Sequence, residues 1–226
     1  MSLEEALSSL RRGEFVLLHD GNTRENEVDM VIAADFVTPE HIARMRQDAG
    51  GLICLSVNHS FAKNLGLNYM HDILSSSQNV DAESKKMIIG KAPYGDRPSF
   101  SISINHKSTY TGVTDRDRAL TMSEVARLYK NQDKNKKEIF NSSFKTPGHV
   151  PVLIASEGLL SSRLGHTEMS VYLTTLAGLS PVTVICEMLD SETYGALSAE
   201  KAKKYAKQNA MPYFDGSQLV EYAKEH

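Results

Sequence analysis

Apolar runs too short to be helices recur along this chain, and segments with helix-start chemistry stand between them. That alternation limits the fold more than any other feature. Residues 15–19, 28–36, 52–57, 100–105, 150–155 and 181–188 read as strands. The first helix opens on a capping box of Ser2 and Glu5, places Leu3, Ala6, Leu7 and Leu10 on one face, and stops at Gly13. Thr38-Pro39-Glu40 starts a second helix that leads to Gly50-Gly51. Thr121 and Glu124 read as the cap of another, running through Tyr129, and further helices are expected over 167–177, over 198–209 and after Asp215. The stretches 75–98 and 130–147 are polar and lack a clean period, so both are expected to be loops, the former a long loop or lid with one helical turn. Irregular interleaving of strands and helices predicts an α+β class domain, layered around a mixed, twisted sheet. No repeat, low-complexity tract or linker interrupts it, which predicts a single domain over residues 1–226.

Composition narrows the function. Of 226 residues, 41% are hydrophobic and 23% charged, enough to bury a core. A net charge of −3 with scattered Lys and Arg lacks the basic stripe that phosphate contacts require, so no nucleic-acid partner is expected. No apolar run approaches the roughly 20 residues of a membrane span, and the N-terminus reads as an amphipathic helix rather than a signal peptide. A cytoplasmic protein with no membrane partner is the expectation. The two cysteines, Cys54 and Cys186, are far apart and sit in apolar runs. They read as buried thiols rather than a disulfide framework or a zinc site, although Cys54 could line a pocket.

Five polar features stand out against this background. In Arg24-Glu25-Asn26-Glu27-Val28-Asp29, three carboxylates occupy alternate positions, which on an extended chain face one side. Such a row suits a hard divalent cation, and a charged surface loop is the alternative. In Arg163-Leu164-Gly165-His166-Thr167-Glu168, an Arg and a Gly precede a helix that Thr167 can cap, as an anion cradle would need; a well-capped helix with a surface Arg fits the same residues. Lys145-Thr146-Pro147-Gly148-His149-Val150 places a second Gly-His pair before an apolar strand, where a structural hydrogen bond is as natural as catalysis. Glu187 ends a buried strand, and a carboxylate there needs a partner or a shifted pKa. The fifth feature is the hydroxyl-rich turn Thr109 to Thr114, followed by Asp115-Arg116-Asp117-Arg118.

Taken together, these residues resemble the 3,4-dihydroxy-2-butanone 4-phosphate synthase family, which converts D-ribulose 5-phosphate to the butanone phosphate and formate in riboflavin biosynthesis. The resemblance rests on Arg24 to Asp29, Pro147 to Val150, Gly165 to Glu168, Cys186-Glu187 and Ala49 to Cys54, and it extends from the first helix to the last. Two positions depart from many bacterial members: Val28 stands for Gly, and Thr146 for Arg, which leaves Lys145 as the charge there. The stretches 75–98 and 130–146 look like insertions of a variant lineage.

The resemblance implies a three-layer α/β/α fold and a homodimer with the site near the subunit interface. It implies Glu25 and His166 as ligands of two Mg²⁺ ions per site, with Mn²⁺ as the alternative. Arg24, Glu25, Asp29, Glu187 and the run Arg163, Leu164, Gly165, His166 and Thr167 would bind substrate, that run chiefly its phosphate. His149, Glu187 and Asp29 would carry catalysis. Proton removal beside a carbonyl needs the enediolate charge stabilised and a proton carrier tuned near neutrality, and these residue types supply both. A metal-dependent sugar-phosphate isomerase or aldolase would use the same chemistry without releasing formate. A silent binding module would be expected to have lost one of Glu25, His149, His166 or Glu187, and all four are present.

Overall fold

A computed structural model describes residues 2–22, 24–88 and 90–225; Met1, Thr23, Ile89 and His226 lie outside it. Strands β1 (Val16–His19) and β2 (Val28–Ala33) are buried at every residue, so neither face of the sheet that contains them can be left open. The sheet is completed by β3 (Cys54–Val57), β4 (Phe100–His106), β5 (Phe144–Ile154), β6 (Val182–Glu187) and β9 (Tyr213–Asp215), with a separate small hairpin of β7 (Leu189–Asp190) and β8 (Gly195–Ala196). Its seven strands run in the order β4-β5-β3-β6-β2-β1-β9. Only β1·β9 and β3·β5 pair in parallel, which makes the sheet mixed, as expected.

Alternation of side chains divides the core in two. Val16 and Leu18, with Val31, Ile185 and Phe214, pack under α1 (Leu3–Arg11), α7 (His166–Leu176) and α9 (Gly216–Glu225). Leu17, with Val28, Met30, Ile32 and Val184, packs on the other face under α2 (Pro39–Arg44), α5 (Asp115–Lys130) and α8 (Ala199–Gln208). Helices therefore cover both faces of one sheet, giving the α+β, three-layer arrangement. Met30 and Ile32 are 0% exposed, and truncating either to alanine is expected to cost about 2–5 kcal/mol.

Several expected boundaries move. The helix assigned to Thr121 starts at Asp115, because the Thr114 hydroxyl accepts the Asp117 N–H at 3.2 Å. Thr121 instead lies inside α5 and turns its hydroxyl to the Asp117 carbonyl at 2.9 Å. The second strand stops at Ala33 and tightens into a 3₁₀ turn over Ala34–Phe36. The expected loop 130–147 contains α6 (Lys136–Ser143), which inserts Phe140 into the core, and the first part of β5. Helices α3 (His59–Leu65) and α4 (Met70–Ser76), and strand β9, were not expected. The stretch 75–98 holds the end of α4 and one 3₁₀ turn, Ser84–Met87, and is otherwise irregular.

Candidate functional site

The link between β1 and β2 folds around one side chain. Asp20 is 7% exposed; its Oδ2 accepts the Glu25 N–H at 3.0 Å and its Oδ1 accepts the Glu27 N–H at 3.1 Å. Between these two anchored amides, Asn26 adopts φ 56°, a left-handed conformation. The chain is therefore not extended through Glu25, Glu27 and Asp29, and their alternation does not make them one row. The carboxylates that converge are Asp20 and Glu25. Together with His166 they present ligand atoms within 4.8 Å of one another.

His166 opens α7, which begins at Gly165 with no side-chain cap; Thr167 is buried inside the helix and does not cap it. The helix start carries the imidazole to the loop. Nδ1 lies 3.4 Å from Glu25 Oε2, and Nε2 lies 3.7 Å from Asp29 Oδ1. Asp29 is 1% exposed and stands directly opposite Glu187 in the β2·β6 ladder. Like charges so paired repel, and Asp29 titrates accordingly. Burial raises it most, the imidazolium partly opposes this, and Glu187, Glu25 and Glu27 raise it further, to about 7. Burial also raises Glu25, but hydrogen bonds from His166 and Tyr94 and the charge of Arg24 prevail and hold it at about 2. His166 is lowered by burial and then raised by Asp29, Glu25 and Asp20, ending at about 9. Among the described residues, neither Asp29 Oδ1 nor His166 Nε2 has a hydrogen-bond partner, although both are buried. Two carboxylates and an imidazole whose buried Nε2 makes no hydrogen bond fit a divalent cation. Asp20, Glu25 and His166 are the residues able to hold it.

Two arginines border the same space. The Arg24 head is 8% exposed, contacts Glu25 at 2.5 Å, Asp96 at 2.9 Å and Asp20 at 3.2 Å, and lies 4.6 Å from the Tyr94 ring centre. Arg163 Nη1 donates to Glu168 Oε2 at 2.5 Å, and Glu168, fully buried, also accepts the Ser156 N–H at 2.9 Å. The arginine of the expected cradle is thus held by its own helix. A side chain at Gly165 would come within 2.1 Å of its Nη1, which explains the glycine. A cleft of about 790 Å³ opens beside these groups, lined by Asp20, Arg24, Tyr94, Asp96, Arg163 and Leu164 among others.

Glu187 ends β6, and its Oε2 accepts the Leu52 N–H at 2.8 Å. A Cβ at Gly51 would lie 2.5 Å from both the Glu187 carbonyl and its carboxylate, so only glycine allows this approach. His149 stands apart: it is exposed, its N–H donates to Asn105 Oδ1 at 2.8 Å, and its Nδ1 faces Asn105 Nδ2 at 3.1 Å. His149 lies on β5, which β3 separates from β6, so it stands two strand spacings, roughly 10 Å, from Glu187. Cys54 is buried, and burial pushes its thiol well up, so it packs. The structure therefore gathers Arg24, Glu25, Asp29, Arg163, Leu164, Gly165, His166, Thr167 and Glu187 at one end of the sheet, with His149 on the same rim but out of contact. Asp20, Tyr94 and Asp96 belong to the site without having been expected.

Residues 4–222 match the family described as 3,4-dihydroxy-2-butanone 4-phosphate synthase. The synthase of Methanothermobacter thermautotrophicus is 44% identical over 224 residues, covering 97% of this chain and 94% of that protein. The synthase of Archaeoglobus fulgidus is 41% identical, covering 100% of this chain and 95% of that one. A solved 3,4-dihydroxy-2-butanone 4-phosphate synthase in complex with two magnesium ions superposes with a TM-score of 0.79 at 29% identity, covering 100% of this chain and 97% of that one. The synthase of Candida albicans gives 0.77 at 31% identity, covering 99% and 97%. The chain belongs to the 3,4-dihydroxy-2-butanone 4-phosphate synthase family, enzymes of riboflavin biosynthesis.

Proposed function

We propose that this chain, as one synthase domain over residues 1–226, is a magnesium-dependent lyase that converts D-ribulose 5-phosphate to 3,4-dihydroxy-2-butanone 4-phosphate and formate. Substrate and products balance in every atom, so no co-reactant is needed. The observation that carries the reading is the convergence of Asp20, Glu25 and His166 beside the unpartnered Asp29 Oδ1, in a chain of this family. Mg²⁺, or Mn²⁺ on the same donors, would supply Lewis-acid stabilisation of an enediolate oxygen. Two ions per site are proposed, because a family structure at 29% identity holds two magnesium ions.

The chain's own residues divide the remaining work. Glu25, ionised at any physiological pH, is an anionic ligand, and His166 must release its proton to become one. Asp29, near 7, can take and return a proton at neutral pH, which suits removal of hydrogen from a carbon beside a carbonyl. Glu187, paired with Asp29 across β2 and β6, shares that transfer. Arg24 and the run from Arg163 to Thr167, at the start of α7, hold the phosphate.

His149 acts from a second copy. Its exposure, its ring fixed by Asn105, and the exposed Tyr110, Val113, Leu52 and Leu189 support a homodimer whose interface lies along this rim. No helix among the described residues is long and apolar enough to cross a membrane. We place the enzyme in the cytoplasm without nucleic-acid or membrane partners.

Formate release from ribulose 5-phosphate, with and without Mg²⁺, beside Glu25→Gln and His166→Ala variants, tests the reading. Metal-dependent formate that both variants lose is the expected result. Sugar turnover without formate would instead identify an isomerase or aldolase.

A further inference from the structure

We propose that His19, outside the metal cluster, is a positioning residue that latches Asn26 in the left-handed turn aiming Glu25 into the site. The proposal rests on Glu25 being a metal ligand. Asn26 is the hinge of the ligand loop, with φ 56° between Glu25 and Glu27. A left-handed L-residue costs roughly 1–2 kcal/mol, less for Asn than for most, so the turn needs something to hold it.

Two neighbouring residues at the end of β1 do so from opposite faces. Asp20, on the face of Val16 and Leu18 that α7 covers, takes the amides on either side of Asn26, at 3.0 Å from Glu25 and 3.1 Å from Glu27. His19, on the face of Leu17, reaches the Asn26 side chain itself, with Nε2 3.0 Å from Oδ1. An amide oxygen only accepts, so His19 presents N–H at Nε2.

The imidazole is in turn held in place. His19 is 4% exposed and pairs with Asp215 in the β1·β9 ladder. Its ring centre lies 6.2 Å from that of Tyr213, and a Cβ at Gly216 would come within 2.8 Å of its carbonyl oxygen. Asn26, by contrast, reaches solvent, so the latch is the contact that ties its side chain to the core. Removing it frees the backbone on which Glu25 rides. Partners of this outer kind typically change metal affinity 10- to 100-fold.

The test is Mn²⁺ affinity of the metal-free protein, read from the paramagnetic signal of the free ion, for wild type, Glu25→Gln, His19→Phe, His19→Gln and Asn26→Ala, with thermal unfolding as the control for folding. His19→Phe and Asn26→Ala are expected to weaken Mn²⁺ about 10- to 100-fold. His19→Gln, whose amide can donate from the place of Nε2, is expected to stay near wild type. If His19→Phe fails to fold, Asn26→Gly, which drops the side chain without the left-handed penalty of alanine, decides in its place: loss of affinity is expected, and wild-type affinity overturns the latch. Wild-type affinity in Glu25→Gln would defeat the metal-site reading itself. Loss in Glu25→Gln with wild-type affinity in Asn26→Ala would overturn the latch alone. Equal loss in His19→Gln and His19→Phe would reduce His19 to packing and overturn the hydrogen bond as its means.

Discussion

Asp29 is held where a carboxylate is least stable: 1% exposed, opposite Glu187, with one oxygen unpartnered among the described residues. Such an arrangement costs stability, and the catalytic role proposed for Asp29 accounts for it. Asp29→Asn preserves shape and removes the repulsion. We expect kcat for formate release to fall about 10²- to 10⁴-fold, while the metal-free protein melts no lower than wild type. A melting point that falls together with activity would mean that Asp29 serves structure. Arg24, Glu25 and Asp29 stood out as a dense polar run at a strand entrance, and His166 as part of an Arg-Leu-Gly-His run at a helix start. Asp20 did not: an Asp before a Gly is the ordinary residue of a turn, and only the folded loop shows its two oxygens accepting amides of Glu25 and Glu27. Tyr94 and Asp96 come from an irregular stretch whose sequence carries no period, so nothing local tied them to Arg24.

Elements were legible where one signal acted alone and were misplaced where two competed. Thr121 and Glu124 have the spacing of a capping box, as Thr114 and Asp117 do, and the upstream pair took the helix start because α5 has core to cover from Ala119 onward. Helix α6 and the first turns of β5 were hidden by polar composition: α6 buries little beyond Phe140, and the first half of β5 is largely exposed. Helix α2 started where Thr38 and Pro39 predicted, but its third residue closes the box with an imidazole: His41 Nδ1 accepts the Thr38 N–H at 3.1 Å. Burial lowers His41 below its ordinary 6.5, with Arg44 adding to this and Glu40 opposing it. The folded state thus binds this proton less readily than the unfolded state. This contribution is complete above about pH 6.5 and is lost as pH falls through the folded value. Between pH 7.5 and 5.5 the urea midpoint is expected to drop, and His41→Gln should flatten that part of the change. An unchanged slope in the variant would remove His41 as the cause.

The stretch 75–98 makes its own prediction at this scale. Tyr94 lies over Arg24, and Asp96 sits 2.9 Å from Arg24 Nε and 3.7 Å from Arg163 Nε, so the loop already touches the groups proposed to receive the phosphate. We propose it as a lid over the site. Protease cutting within it should slow when ribulose 5-phosphate and Mg²⁺ are added together, and equal cutting with and without them would count against closure.

Across the whole molecule, the sheet sets the distance between His149 and the rest of the site. Asp29 pairs with Glu187 across β2 and β6, and β3 stands between β6 and β5, the strand that carries His149, so in one chain His149 stays roughly 10 Å from Glu187. No rotamer of an imidazole bridges that gap while Asn105 holds both its ring and its backbone N–H. The homodimer proposed above would join the same rim of both copies and bring His149 of one chain against the Glu25 and His166 of the other. His149→Ala and Glu25→Gln should then each abolish formate release alone, yet rescue one another when unfolded together and refolded as a mixture. In a mixed dimer, one site combines the intact Glu25 of the first chain with the intact His149 of the second, and the other site carries both defects. Random pairing makes half of the dimers mixed, with one working site in two, so recovery of about a quarter of wild-type activity is expected. If each chain used its own His149, every site in the mixture would carry one defect and no activity would return.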